Sequence, residues 1–355
     1  MIDFSQVPLL IWLIIIAALL FDYINGFHDT ANAIATVVST RVMSPRDAIL
    51  MATVLNFAGA YLMSTFFGGG VAKTVSSGLI DPLGVSQTVV LAAIIGAITW
   101  NLITWYYGIP SSSSHALFGG LCGAALVHAG TDAIIWSEPS GGIVPNGLFW
   151  KAIVPIFLSP IGAFLVGITV MTLLYVVLQS VQPGGVSRTF RYLQIISASM
   201  MAFMHGSNDA QKSMGIITMA LITSGLQVPA DPSKPVIQIW VIALCALAMA
   251  LGTSVGGWRI MKTMGHKIMK LEPVHGFAAE TSASIIIGLA DHFHAPISTT
   301  HTITGSIFGV GAAKRFSAVR WGVAERMVVA WFLTLPASAI VAAVSYWILR
   351  AMHLE

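Results

Sequence analysis

The sequence predicts an all-α integral membrane protein of about ten passes, built as two inverted five-pass repeats with short discontinuous or re-entrant helices. Three observations predict it: a composition unsuited to water, a ladder of apolar stretches long enough to cross hydrocarbon, and an internal repeat whose copies enter from opposite sides. Of the 355 residues, 56% are hydrophobic and 9% charged, whereas soluble domains carry about a quarter charged residues. Mean hydropathy is +0.83. The 17 Lys and Arg against 14 Asp and Glu give a net charge of +3, too weak and dispersed for a nucleic-acid partner. Cys122 and Cys245 sit inside apolar runs with no spacing partner, which argues against a disulfide framework or metal knuckle. The stretch before Pro8 has Asp3 and no Lys or Arg, so the basic start of a cleavable signal is missing. The first apolar run is therefore expected to stay in the mature protein.

Apolar stretches fall at roughly 7–40, 48–66, 87–106, 152–183, 195–225, 236–256, 277–293 and 327–350, each of a length to cross ~30 Å of hydrocarbon. Two shorter segments, 110–129 and 296–313, open with Pro and a hydroxyl cluster and continue as Gly-rich apolar runs. They are expected as short spans or re-entrant pieces buried against other helices, because polar backbone cannot face lipid. Lys and Arg collect in four loops: Arg41 with Arg46, Arg188 with Arg191, Arg259 to Lys270, and Lys314 to Arg326. Placing all four on the cytoplasmic side lets the passes alternate without contradiction and leaves both termini outside, with the loops at 130–151 and 226–235.

The repeat relates residues 1–185 to residues 186–355. Asn25-Gly26-Phe27-His28-Asp29 aligns with His205-Gly206-Ser207-Asn208-Asp209, and Pro110 to His115 aligns with Pro296 to His301, which puts Gly119 and Gly123 on Gly305 and Gly309. By the pass count the members of each pair enter from opposite sides, the architecture of secondary transporters that rock around a shared site at the midplane.

Ionisable residues at depth cost ~2.5–3.5 kcal/mol each on insertion scales. Here they are Asp22, Asp29, Asp209, Lys212, Glu280 and Asp291, with His28, His115, His205 and His301 beside them. Asp22 and Asp291 are equally well read as helix-end residues at the headgroup level. Asp29 and Asp209 each follow a Gly and an amide-rich stretch expected to break a helix at depth. Ser112, Ser113 and Ser114, and Ser298, Thr299 and Thr300, follow a Pro and precede an apolar helix. That places them at helix N-termini, where free N–H groups and the dipole bind anions; the alternative is helix-packing glue. Two such ends converging would hold a small tetrahedral oxyanion. Lys212 either adds a positive charge for such an anion or pairs with Asp209 or another acid. The four His are expected as hydrogen-bonded structural residues, with His115 and His301 orienting the neighbouring hydroxyls.

Acids and an anion in one pocket repel: two unit charges ~6 Å apart at an effective dielectric of ~20 cost ~3 kcal/mol. A cation between them removes the repulsion, which makes anion binding depend on the cation.

The motifs NGFHDTANAIATVVSTR at 25–41, GIPSSSSHALFGG at 108–120, MHGSNDAQKSMG at 204–215 and APISTTHTITG at 295–305 resemble those of the inorganic phosphate transporter (PiT) family, over essentially the whole chain. The resemblance implies a phosphate symporter with inverted repeats. It implies Asp29, Asn32, Asn208 and Asp209 at the cation and phosphate region, with Ser112 to Ser114 and Ser298 to Thr300 at the phosphate. Asn25 and Glu280 join the expected cation-coupling set. Many members have Gly-Ala-Asn-Asp where this chain has Gly26-Phe27-His28-Asp29; the His-Asp form looks like the bacterial proton-coupled branch, which accepts neutral metal-phosphate complexes. The long central insertion of many eukaryotic members is missing, the halves being joined by little more than 184–194. A bacterial cytoplasmic (inner) membrane address follows.

The expected partners are inorganic phosphate, a coupling cation (proton favoured, sodium as the other candidate, a divalent metal travelling with phosphate), the lipid bilayer and a second copy as a homodimer. No resident cofactor is expected. The alternatives carried forward are a sulfate permease of the same fold and an anion channel. A membrane enzyme or ATP-driven pump is disfavoured, because no Walker lysine loop, HExxH or paired acid and nucleophile motif appears.

Overall fold

A computed structural model describes residues 7–81, 85–139, 144–229, 231 and 235–353. The residues before Val7 and Lys234 of the second expected outer loop lie outside the described set. Twelve α-helices run among the described residues: α1 (Leu9–Ser39), α2 (Pro45–Phe66), α3 (Gly70–Ser77), α4 (Gln87–Tyr107), α5 (Ser113–Ala129), α6 (Val154–Leu178), α7 (Pro183–Thr223), α8 (Ile239–Val255), α9 (Trp258–Lys262), α10 (Pro273–His292), α11 (Thr299–Lys314) and α12 (Trp321–Ala351). Wide π-type turns lead into α6 at Phe149–Ile153 and extend α9 over Thr263–Lys267.

Local chemistry sets the ends. Ser44 accepts the N–H of Asp47 at 3.2 Å ahead of Pro45, an N-cap with Pro in the first turn. Glu272 and His275 cap α10 reciprocally, again with Pro at the first position. Gly108, at φ 64°, ends α4 in the left-handed conformation that glycine adopts without strain. Helices α1, α2, α4, α6 with its lead-in, and α12 are each long and apolar enough to cross a membrane; α8 with Trp258–Lys267, bent 58° from it, makes a sixth. Helices α5 and α11, at 17 and 16 residues, fall short of the ~20 a straight span needs. Helix α3, in the stretch before α4, is buried along α7.

Two expectations are corrected. The joint at 184–194 is not a linker but the first turns of α7, which runs 41 residues from Pro183. Nor do Gly26 and Gly206 break their helices: α1 and α7 continue through them. The physical reason is close approach. A Cβ on Gly26 would lie 2.4 Å from Met249 O of α8, and one on Gly206 would lie 2.2 Å from Asn56 O of α2. Glycine here removes a side chain that would hold the crossing helix away.

The same device seats the short helices. Helix α5 packs along α12 and α11 along α6, so each short helix lies on a long arm from the other half of the chain. Cβ atoms on Gly119 and Gly123 would meet Leu335 O and Ala339 O at 2.4 and 2.2 Å; on Gly305 and Gly309 they would meet Pro160 O and Phe164 O at 2.4 and 2.1 Å. These are the small-xxx-small contacts of membrane helices.

Buried apolar side chains form two clusters. One takes Ile11 to Phe21 of α1 and Ala210 to Leu221 of α7 together with α4, α5 and α8. The other takes Ala31 to Val37 of α1 and Ala198 to Ala202 of α7 with α10 and α11. The motifs around Asp29 and Asp209 thus fall where two continuous helices pass from one core to the other.

Gly309→Ala should destabilise the protein by about 1–3 kcal/mol through overpacking, whereas Gly322→Ala, with nothing within 4 Å of its Cβ, should be close to neutral. Thermal unfolding of the purified variants, followed by tryptophan fluorescence, checks both.

Candidate functional site

Asp29 and Asp209 sit on α1 and α7, and the starts of α5 and α11 close over them. Ser113 Oγ donates to Asp29 Oδ2 at 3.1 Å, and Thr300 Oγ1 to Asp29 Oδ1 at 3.4 Å. Thr299 Oγ1 donates to Asp209 Oδ2 at 3.1 Å. Asn32, one turn beyond Asp29, donates from Nδ2 to Thr300 Oγ1 at 2.9 Å and Thr299 Oγ1 at 3.3 Å. Lys212 resolves to the second of its two expected positions: Nζ donates to Asp209 Oδ1 at 2.5 Å and to Ile297 O at 3.1 Å. Ser114 Oγ also donates to Ile297 O, at 3.0 Å, which ties the two short helices together at their starts.

Histidines flank both acids. His28 Nδ1 lies 2.6 Å from Asp29 Oδ1, and its Nε2 lies 3.1 Å from Thr104 Oγ1, which in turn accepts from Ser111 Oγ at 2.8 Å. His205 Nε2 lies 3.2 Å from Asp209 Oδ2, with Nδ1 3.2 Å from Asn56 Oδ1. One oxygen or nitrogen each from Asp29, His205 and Asp209 falls within 4.8 Å of the others, a spacing that admits a cation between them. Asp29 is 1% exposed and Asp209 0%, so both carboxylates are buried.

Ser112 and Ser298 do not reach the acids. Each is the N-cap of its short helix, accepting the N–H of His115 at 3.2 Å and of His301 at 3.1 Å. The first-turn N–H groups at Ser113 and Thr299 have no intrahelical acceptor, and the hydroxyls of the same two residues reach the acids. The expectation that His115 and His301 orient the hydroxyls is corrected. It is their backbone N–H groups that do so. The two rings pack on each other at 4.6 Å between centroids, and His301 stacks on Trp331 at 3.9 Å, so the rings serve as packing where the short helices meet. Trp331 Nε1 donates to Pro110 O at 3.2 Å.

Three expected residues lie apart from this cluster. Asn208 donates from Nδ2 to Asp291 Oδ1 at 2.6 Å, beside Ser207 Oγ on Asp291 Oδ2 at 2.7 Å. Glu280 accepts from Thr36 Oγ1 at 2.5 Å and Gln194 Nε2 at 3.1 Å, and from Ser197 Oγ, forming a second polar nest two turns along α1. Asn25 is buried with neither amide atom hydrogen-bonded. Asp291 holds the Asn208 side of the α7 motif, and Thr104 with Ser111 holds His28. None of the three stands out in the sequence as a site residue, since Thr104 is a lone hydroxyl in an apolar helix and Asp291 sits at a helix end. Ser111, next to the hydroxyl run, was the legible signal.

Fold and pocket together define a multi-pass helical membrane protein with a charged, buried interior. Residues 25–342 match the model of the phosphate transporter family, and the chain belongs to that family. Curated relatives include proteins named "Probable low-affinity inorganic phosphate transporter". That of Bacillus subtilis is 48% identical over 95% of this chain and 96% of its own; that of Rhizobium meliloti is 48% identical over 96% of each. That of Mycobacterium tuberculosis strain H37Rv is 44% identical over 95% of this chain and 77% of its own. A solved sodium-dependent phosphate transporter, 24% identical, superposes with a TM-score of 0.83 over 97% of this chain and 100% of its own, a likeness of fold. The sulfate alternative finds no support among these relatives.

Asp291→Ala should leave Asn208 Nδ2 and Ser207 Oγ without an acceptor, at a cost of about 1–3 kcal/mol for buried unpaired groups. A lower thermal midpoint for Asp291→Ala than for the near-isosteric Asp291→Asn checks it.

Proposed function

We propose that this chain imports inorganic phosphate across a bacterial cytoplasmic membrane by symport with cations, protons being favoured over sodium, with a metal-phosphate complex as the form carried. The ten passes are read as two inverted repeats, residues 1–185 and 186–355, with both termini outside. The cation-coupling residues are Asp29 and Asp209 with Asn32, supported by Asn25, Asn208 and Glu280. Phosphate is held by Ser112 to Ser114, Ser298 to Thr300 and Lys212.

The observation that carries this reading is that the hydroxyls suited to phosphate are engaged with carboxylates. Ser113 and Thr300 donate to Asp29, and Thr299 and Lys212 donate to Asp209. A cation arriving on either acid supplies the charge compensation these donors now provide, and frees them to turn to an anion held at the two helix starts. Without the cation, phosphate would meet two negative charges and donors already spent. Binding of each solute therefore favours the other, which is symport expressed as hydrogen bonding. The burial of Asp29 and Asp209 supports alternating access over the anion-channel alternative, which needs a continuous opening.

In proteoliposomes with proton, sodium and magnesium gradients imposed one at a time, the wild type should accumulate phosphate under at least one. Asp29→Asn and Asp209→Asn should each lower gradient-driven uptake by about tenfold or more while inserting normally, since an amide cannot carry the coupling charge. Normal uptake and ion dependence in both variants would remove the site.

A further inference from the structure

Asp22 stands on α1 seven residues before Asp29, two helical turns or ~10 Å along the axis, with Asn25 between them on the same stripe. Its side chain is fully buried, as are those of Asn25 and Ser213. Neither Asp22 oxygen, neither amide atom of Asn25, nor Ser213 Oγ has a well-formed hydrogen bond. Ser213 of α7 faces the Asp22 carboxyl, and the charged groups within reach are Asp209 and Lys212 of α7. Cys245 of α8 is the remaining titratable neighbour. Helix α4, which also packs on α1, brings no acid or base to the interface.

Coupling through Asp29 and Asp209 leaves Asp22 without a task. An ionised carboxylate with no well-formed hydrogen bond at this depth is costly, so a proton or a bound cation must accompany it. Sodium is the poorer occupant. Sodium sites in transporters draw on carbonyls freed where a helix unwinds, and α1 and α7 run unbroken through this level, which leaves only the few side-chain oxygens of Asp22, Asn25 and Ser213. A proton needs a single oxygen.

We propose that Asp22 is a second proton-binding site of this transporter, separate from the Asp29–Asp209 pocket, with Asn25 and Ser213 as its polar neighbours. The step needs the transporter to open: water admitted then takes the proton as the O–H bond of the Asp22 carboxylic acid breaks, and the carboxylate keeps the electron pair. The resulting charge is met by the ammonium of Lys212, drawn from Asp209 Oδ1. Proton release at Asp22 thereby loosens the ion pair that occupies Asp209, and one side chain links the two sites. This inference rests on the symport reading.

The test uses the full chain reconstituted in lipid as wild type, Asp22→Asn and Asp22→Glu. Two quantities are read: the ratio of pH-gradient-driven phosphate accumulation to phosphate–phosphate exchange, and the infrared carbonyl band of a protonated carboxylic acid across a pH titration. The wild type should show an acid band that Asp22→Asn lacks, and the ratio should fall by about tenfold or more in Asp22→Asn, because the amide holds no exchangeable acid proton. Asp22→Glu should restore both. A wild-type ratio in Asp22→Asn, an unchanged acid band, or equal loss of accumulation and exchange would each overturn the proposal, as would sodium-driven uptake with no acid band from Asp22. A wild type that moves no phosphate under any gradient would strike the symport reading instead, while the infrared arm still decides whether Asp22 holds a proton.

Discussion

Two carboxylates placed where hydrocarbon surrounds the protein dictate the arrangement of everything near them. Asp29 and Asp209 have no access to water, and a buried charge without donors is among the most expensive features a fold can carry. The donors that meet them come from α5 and α11, elements remote in sequence from α1 and α7. The positions of the short helices are thus fixed at one end by hydroxyl-to-carboxylate bonds and along their length by glycine contacts. Hydrogen bonds alone would set a point of contact but no direction; the glycine seams supply the direction.

The continuity of α1 and α7 changes how the pocket is understood. A pocket formed by unwound backbone takes its ligands from carbonyl groups, and its geometry depends on the local unwinding. Here the helices stay intact, and the polar groups are side chains displayed at helical intervals: Asp22, Asn25, Asp29 and Asn32 on one rod, and His205, Asp209 and Lys212 on the other. Main-chain polarity enters at Ile297, just before α11, whose carbonyl accepts from Lys212 and Ser114. A small rotation of either rod would move all of its polar groups together.

Much of this could be read from the residues because membrane insertion penalises polar groups so strongly. The hydroxyl clusters after Pro110 and Pro296 announced helix starts, and both are N-capped as that chemistry requires. The pairing of Gly119 and Gly123 with Gly305 and Gly309 was visible as a pattern, although which helices they touch was not. The reading of Gly26 and Gly206 as helix breakers failed because glycine has two uses in membranes, and only the neighbour across the interface tells them apart. His115 and His301 were misassigned for a related reason: a buried imidazole beside hydroxyls suggests a hydrogen bond, and nothing local reveals that Trp331, thirty residues later, offers a face to stack on. Asp291 reaches Asn208 through tertiary contact alone.

The arms α6 and α12 each cradle a short helix made by the opposite part of the chain. Synthesis runs from one end, so α11 meets its arm as soon as it emerges, α6 being already in place. Helix α5 is made early and must wait with its bare glycine face until α12 leaves the ribosome. Assembly of the first half is therefore finished only once α12 has been made, and a chain cut short before α12 leaves that half exposed to the quality-control machinery of the membrane.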